Sequence, residues 1–272
     1  MCLPQPPQPH GVRPILHPVT GEDQRFEVGN VWLARGMTQI AENLAMVQAR
    51  IVAACHNAGR PTESVQLLPV SKTRPADDVL AAYVAGRRRF GENKAQEAAA
   101  KAAELAEYPD LEWVMIGHLQ SNKAKLVARF ASEFQALDSL PLAAELDRRL
   151  QERGRRLDVL IQVNSSGEDS KFGLPPDDVP GFAAALAGFD ALRVRGLMTL
   201  ALPSPITERV RACFVRMQQV QARLRDQGIA GQSYDELSMG MSGDFELAIE
   251  HGATVVRIGT AIFGRRSYPV AG

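Results

Sequence analysis

Residues 234–264, YDELSMGMSGDFELAIEHGATVVRIGTAIFG, hold one complete strand–helix–strand unit, and its reading decides the fold. Tyr234-Asp235-Glu236-Leu237-Ser238 and Val255-Val256-Arg257-Ile258 read as short strands. Between them Gly243 to Gly252 reads as a helix, with Ser242 as its N-cap. Two strands joined through a helix run parallel, with a right-handed crossover. Both strands end in small residues, Ser238-Met239-Gly240-Met241-Ser242 and Gly259-Thr260-Ala261.

The same alternation runs back through the chain. Further strand candidates are Gln66-Leu67-Leu68-Pro69-Val70-Ser71, Arg89-Phe90-Gly91, Trp113-Val114-Met115-Ile116, Phe134-Gln135-Ala136-Leu137, Val159-Leu160-Ile161-Gln162-Val163 and Val194-Arg195-Gly196-Leu197-Met198. Pro69 deprives the first of a ladder hydrogen bond. Helical patterns separate them, as at Pro75 to Gly86, Leu142 to Gly154 and Thr207 to Gly228. A leading helix carries Ile40, Leu44, Val47 and Ile51 at helical spacing, with Thr38 as candidate N-cap. Eight parallel strands in a chain of this size favour a closed (β/α)8 TIM barrel, an α/β fold in a single domain. A doubly wound open sheet is the alternative, weakened by the lack of a G-x-G-x-x-G after the first strand.

Six of the 17 prolines (Pro4, Pro6, Pro7, Pro9, Pro14, Pro18) open the chain, where helix and central strand are both disfavoured. Residues 1–36 are therefore expected to be a poorly ordered extension, with Met37 as an alternative start, and residues 37–272 to form the barrel. The 31 Lys+Arg balance 31 Asp+Glu, which argues against a nucleic-acid binder that works by phosphate neutralisation. The clusters Arg87-Arg88-Arg89, Arg148-Arg149 and Arg153-Arg155-Arg156 accordingly read as solvated helix faces. The cysteines Cys2, Cys55 and Cys213 lack metal-ligand spacing. No apolar run long enough to span a bilayer and no secretory leader is visible, so the expected location is cytoplasmic.

In a barrel the active site gathers at the C-terminal ends of the strands. The residues just past each strand here are polar: Ser71-Lys72-Thr73, Glu92-Asn93-Lys94, His118 to Lys123, Asp138-Ser139, Asn164-Ser165-Ser166 with Lys171 beyond, Met198-Thr199, and the two small-residue turns of the opening unit. Any one of these has a bland reading as a cap or a solvated side chain. Strands seven and eight together are harder to dismiss, because small residues leave backbone N–H groups free at helix N-termini, where this fold commonly binds phosphate. Ser238, Ser242, Gly259 and Thr260 are thus the expected phosphate cradle, with Lys72 across the barrel mouth. A lysine beside a polyanion site suits Schiff-base chemistry, as a class I aldolase acting on a sugar phosphate or as an attachment point for pyridoxal 5′-phosphate (PLP). His118 reads as a polar residue bonded to a loop carbonyl in preference to a general base. His56 and His251, at helix ends, read as structural.

At LLPVSKTRP around Lys72, FGENKAQE (90–97), W-x-x-IGHLQSNK (113–123), SKFG (170–173), RGLMTL (195–200), LSMGMSGDFELAI (237–249) and VRIGTAIFG (256–264), the chain resembles the YggS/PROSC group of pyridoxal phosphate homeostasis proteins. The resemblance runs from about Met37 to Arg265. It implies a barrel similar to the N-terminal domain of alanine racemase, PLP fold type III, with PLP held as a Schiff base on Lys72. It further implies that Ser238, Ser242, Gly259 and Thr260 hold the phosphate, that Arg257 faces the cofactor at the pyridine nitrogen or beside the phosphate, and that Asn93 and Met198 line the site. A cation at the ring nitrogen would weaken PLP as an electron sink.

The implied function is intracellular PLP (vitamin B6) homeostasis without strong catalysis, by a monomer or weak dimer serving PLP-dependent apoenzymes, with no nucleic acid or membrane partner. An amino-acid racemase is the alternative, though the chain ends eight residues after Gly264 and so lacks the second domain that supplies a racemase's other base. The match departs at Trp113-Val114, where the family usually has Trp-His, and around Pro203–Thr207.

Overall fold

The computed structural model describes residues 21–168, 172–229 and 232–265. The strands β1 (Gln66–Pro69), β2 (Arg89–Glu92), β3 (Glu112–Met115), β4 (Glu133–Leu137), β5 (Leu157–Gln162), β6 (Leu192–Met198), β7 (Glu236–Ser238) and β8 (Val255–Ile258) form one parallel sheet in the order β1-β8-β7-β6-β5-β4-β3-β2. A bridge between Val70 and Gly91, with the Ser71 N–H donating to the Gly91 carbonyl at 3.0 Å, joins β1 to β2 and brings the ring together. Each expected strand is present. Pro69 is tolerated because it ends β1; the next residue, Val70, donates to Ile258 at 2.9 Å.

Helices separate the strands: α1 (Gly21–Asn57) precedes β1, and α2 (Ala76–Val84), α3 (Ala95–Glu104), α4 (Ala124–Phe130), α5 (Leu140–Gln151), α6 (Val179–Leu186), α7 (Thr207–Gln227), α8 (Phe245–Glu250) and α9 (Thr260–Phe263) come after β1 to β8 in turn. Thr38 is not an N-cap. It lies inside α1, which is helical from the first described residue, Gly21, with no proline between Pro18 and Pro61 to interrupt it. The expectation of a poorly ordered extension falls, for residues 1–20, outside the described residues. Ile40, Leu44, Val47 and Ile51 are buried as one stripe of α1 against α2, α8 and α9.

The main apolar core lies between the strands and the helices, while Leu68, Val114, Val255 and Ile116 form a separate small cluster. Leu68 and Val255 share faces with inward-pointing residues of β1 and β8, so this cluster fills the barrel interior. Val114, the departure from the family's Trp-His, is an apolar member of that filling. The rest of the interior is polar, with Gln135, Ser238 and Arg257 all buried.

The basic clusters divide. Arg148 and Arg149 form a surface ladder with Glu145 and Glu152, as a solvated helix face should. Arg89 and Arg155 do not fit that expectation. Arg89 lies on β2 and reaches Glu133, and Arg155 donates to the carbonyls of Ala128 at 2.7 Å and Ala131 at 2.8 Å, capping the end of α4.

Candidate functional site

Lys72 leaves the end of β1 in the turn Ser71-Lys72-Thr73 and is half-buried. Both neighbours are anchored. The Ser71 hydroxyl donates to Glu92 Oε1 at 2.6 Å, its carbonyl accepts from Lys101 Nζ at 2.8 Å, and the Thr73 N–H donates to Glu97. Thr73 has φ of 63° and is the one non-glycine with positive φ among the described residues. For an L-residue that conformation costs about 1–2 kcal/mol, and for a β-branched one it calls for a local cause. Here the cause is the turn that presents Lys72.

Glu92, at the end of β2, is fully buried; burial pushes its carboxyl up, against the hydrogen bonds from Lys101 and Ser71 that hold it down. Its second oxygen, Oε2, is buried without a hydrogen-bond partner. Asn93 comes next, half-buried, with Gly117 of the next strand's end pressed on its backbone. A Cβ at Gly117 would lie 2.4 Å from the Asn93 carbonyl oxygen, so a glycine is required there.

On β8, Arg257 is 3% exposed. It donates from Nη1 to the Ser238 hydroxyl at 2.6 Å and from Nη2 to the Thr199 carbonyl at 2.7 Å. Burial pushes its guanidinium down to about 10, partly offset by the Asp244 carboxylate. The Ser238 hydroxyl donates in turn to Gln135 Oε1 at 2.7 Å, and Gln135 Nε2 donates to Glu133 Oε1 at 2.6 Å. Glu133 meets Arg89, so a polar line runs from the C-terminal mouth to the opposite end of the barrel. Met198 is buried in register with Ser238, and the Thr199 hydroxyl is tied to Ser165 at 2.8 Å.

The residues of the expected phosphate cradle have different surroundings. A hydroxyl has one proton. In this arrangement that of Ser238 goes to Gln135, and Ser238 holds Arg257. Ser242 is half-buried, Gly259 is half-buried and Thr260 is exposed. The Ile262 and Phe263 amides bond the Gly259 carbonyl, which leaves the Thr260 and Ala261 amides outside the intrahelical pattern. Ser242 does not cap α8; Asp244 precedes the helix and accepts from the Met241 N–H at 2.6 Å.

Lys72 does not stand across the mouth from this group. β1 pairs directly with β8, Leu68 beside Arg257 and Pro69 beside Ile258, so Lys72 flanks it. His118 is exposed and stacks on Phe172 at 4.1 Å in place of bonding a loop carbonyl. Lys171, and with it part of the SKFG motif, lies outside the described residues. His251 sits just past α8 and meets Arg211 Nη1 at 2.7 Å, a structural contact. A cleft of about 520 Å³ opens at the N-terminal ends of β1 and β2, lined by Gln66, Arg87 and Arg89 among others, remote from Lys72 in the fold.

Four participants escaped the sequence reading. Gln135 and Glu133 sit at inward positions of a strand read as apolar, and the detectable signal was that alternation. Lys101 and Glu97 form an i,i+4 pair on α3, readable as a helix-surface pair but buried by tertiary packing.

Barrel and site together define a protein of the alanine racemase N-terminal type. The family model described as alanine racemase, N-terminal domain, matches residues 38–267. An alanine racemase of Clostridium difficile shares the fold at 15% identity with a TM-score of 0.64, covering 85% of this chain and 57% of that one. Within that class, the chain belongs to the pyridoxal phosphate homeostasis protein family. It is 47% identical over 234 residues to the pyridoxal phosphate homeostasis protein of Pseudomonas aeruginosa, which covers 85% of this chain and 98% of that one. The Escherichia coli K12 protein of the same name is 44% identical over 239 residues, covering 85% and 99%. PipY of Synechococcus elongatus, solved with PLP bound, is 39% identical with a TM-score of 0.74, covering 83% of this chain and 100% of that one. Among the described residues no helix is long and apolar enough to cross a membrane.

Proposed function

We propose that this protein binds PLP at the C-terminal mouth of the barrel and takes part in PLP (vitamin B6) homeostasis, with the cofactor attached to Lys72 as a Schiff base. The observation that carries the reading is Arg257, a buried guanidinium held by Ser238 and Thr199 on the strand next to the one that presents Lys72. The family relationship and the PLP-bound relative support it.

The donor set fits the group: an amine, a fixed buried cation, and free amides with a hydroxyl for a phosphate. PLP, when bound, supplies an aldehyde and a ring able to delocalise charge. Lys72 provides the amine; Ser242, Gly259 and Thr260 with the amides at the start of α9 hold the phosphate; Asn93 and Met198 line the remaining walls. Arg257 presents positive charge toward the ring. Placed at the ring nitrogen it disfavours protonation there, which leaves carbanion chemistry poorly supported and the protein a carrier with little catalysis of its own. PLP-dependent apoenzymes are the acceptors in this reading, residues 1–36 are an extension of the binding barrel 37–272, and the location is cytoplasmic.

Titration of the apoprotein with PLP, combined on the same sample with an assay for amino-acid racemisation, tests it. Saturable uptake with a visible absorption band and no turnover is expected. Protein that takes up no PLP, or that racemises amino acids at enzyme rates, contradicts it.

A further inference from the structure

Lys101 is 5% exposed and lies on α3, four residues after Glu97. A lysine is almost never this buried unless paired, and an apolar side chain of similar length could fill the same space between α3 and β2 without dehydrating an ion. An ammonium has three protons, and here three acceptors receive them: Glu92 Oε1 at 2.6 Å, the Ser71 carbonyl at 2.8 Å and Glu97 Oε1 at 2.9 Å. They belong to the end of β2, to the turn after β1 and to α3 itself.

The acceptors are tied to one another through the turn. Ser71 donates its hydroxyl to the Glu92 oxygen that Lys101 uses, and Thr73 donates its N–H to the Glu97 oxygen that Lys101 uses. Ser71 and Thr73 are the two neighbours of Lys72. The left-handed Thr73, unfavourable alone, is held by the second of these bonds.

We propose that Lys101 is a positioning residue: with Glu92 and Glu97 it closes a hydrogen-bonded ring around the Ser71-Lys72-Thr73 turn and so fixes the direction in which Lys72 leaves the barrel wall. The inference rests on Lys72 being the cofactor lysine and adds to that reading the device that aims it. Lys101 touches no cofactor; it acts through Ser71 and Glu97.

The test compares wild type, Lys101→Met, Glu97→Ala and Glu97→Gln. Visible circular dichroism per bound PLP reports how firmly the chromophore is oriented, and amide hydrogen exchange at Thr73 in the apoprotein reports the turn without any cofactor. Lys101→Met and Glu97→Ala are expected to lose at least about half of the visible dichroism, to bind PLP about tenfold more weakly and to exchange the Thr73 amide about tenfold faster. Glu97→Gln, whose amide oxygen still accepts, stays within about twofold of wild type. Glu97 has a side chain 24% exposed, so the Glu97 pair decides the matter even where Lys101→Met does not fold. Folded Glu97→Ala protein with wild-type dichroism and wild-type Thr73 exchange overturns the proposal while leaving the PLP reading intact. A wild-type protein with no visible band overturns both.

Discussion

Arg257 donates to the Ser238 hydroxyl across 2.6 Å inside the barrel, and this bond assigns Ser238 its role. The hydroxyl proton points the other way, to Gln135 at 2.7 Å. In the proposed site Ser238 would therefore serve the cation, and the phosphate would be held by groups nearer the surface.

Ser238→Ala and Thr260→Ala should accordingly fail differently. Loss of Ser238 unseats Arg257 and weakens PLP and phosphate-free pyridoxal alike, by about tenfold for one lost hydrogen bond to a charged group. Loss of Thr260 weakens PLP and leaves pyridoxal nearly unchanged. Equilibrium titration with both ligands checks this; a Ser238→Ala defect confined to PLP would return Ser238 to the phosphate.

Glu133 should make stability fall with rising pH. Burial pushes its carboxyl from 4.5 up to about 7, more than Arg89 and Gln135 hold it down. Between those two values the folded state keeps a proton that the unfolded state has released. Its contribution is therefore fully present below about pH 4.5 and is lost as pH rises through about 7, an effect of at most about 3 kcal/mol. Denaturant unfolding of wild type and Glu133→Gln at pH 5, 6, 7 and 8 isolates it, since other carboxyls titrate in both proteins. Wild type should lose stability relative to the variant over that range; a constant difference contradicts the assignment.

Gly117→Ala should damage the site through Asn93. The added Cβ meets the Asn93 backbone at 2.4 Å and 2.9 Å, and backbone cannot yield as a flexible side chain can. A loss of about 1–3 kcal/mol in stability is expected, together with weaker PLP binding. Gly188→Ala is the control, with its nearest atom at 3.7 Å, and should change neither by a measurable amount.

These outcomes separate what local sequence could reveal from what it could not. Most strands announced themselves as short apolar runs between turn residues, although β2 (RFGE) and β7 (ELS) are not apolar, and the places of Lys72, Gly259 and Thr260 just past strand ends followed from those ends alone. Gln135 was not, since its meaning depends on Ser238, a partner 103 residues away that only barrel closure brings opposite. Ser238 stands out by its type, but its partners Gln135 and Arg257 follow from barrel closure and from the pairing of β7 with β8, which no local stretch spells out. Lys101 was hidden for the same reason, because a Glu-x-x-x-Lys pair on a helix has the same spelling whether it faces water or the turn after β1. Thr38 has the residue type of a cap but lies inside α1, since no proline between Pro18 and Pro61 interrupts the helix.

Borohydride reduction of the PLP-loaded protein and peptide mapping of the product test the central assignment most directly. A single pyridoxyl group on the peptide that carries Lys72, lost in Lys72→Ala while weak non-covalent uptake persists, is the predicted result. A reduced adduct on another lysine such as Lys171, or none on a protein that nevertheless binds PLP, would contradict it.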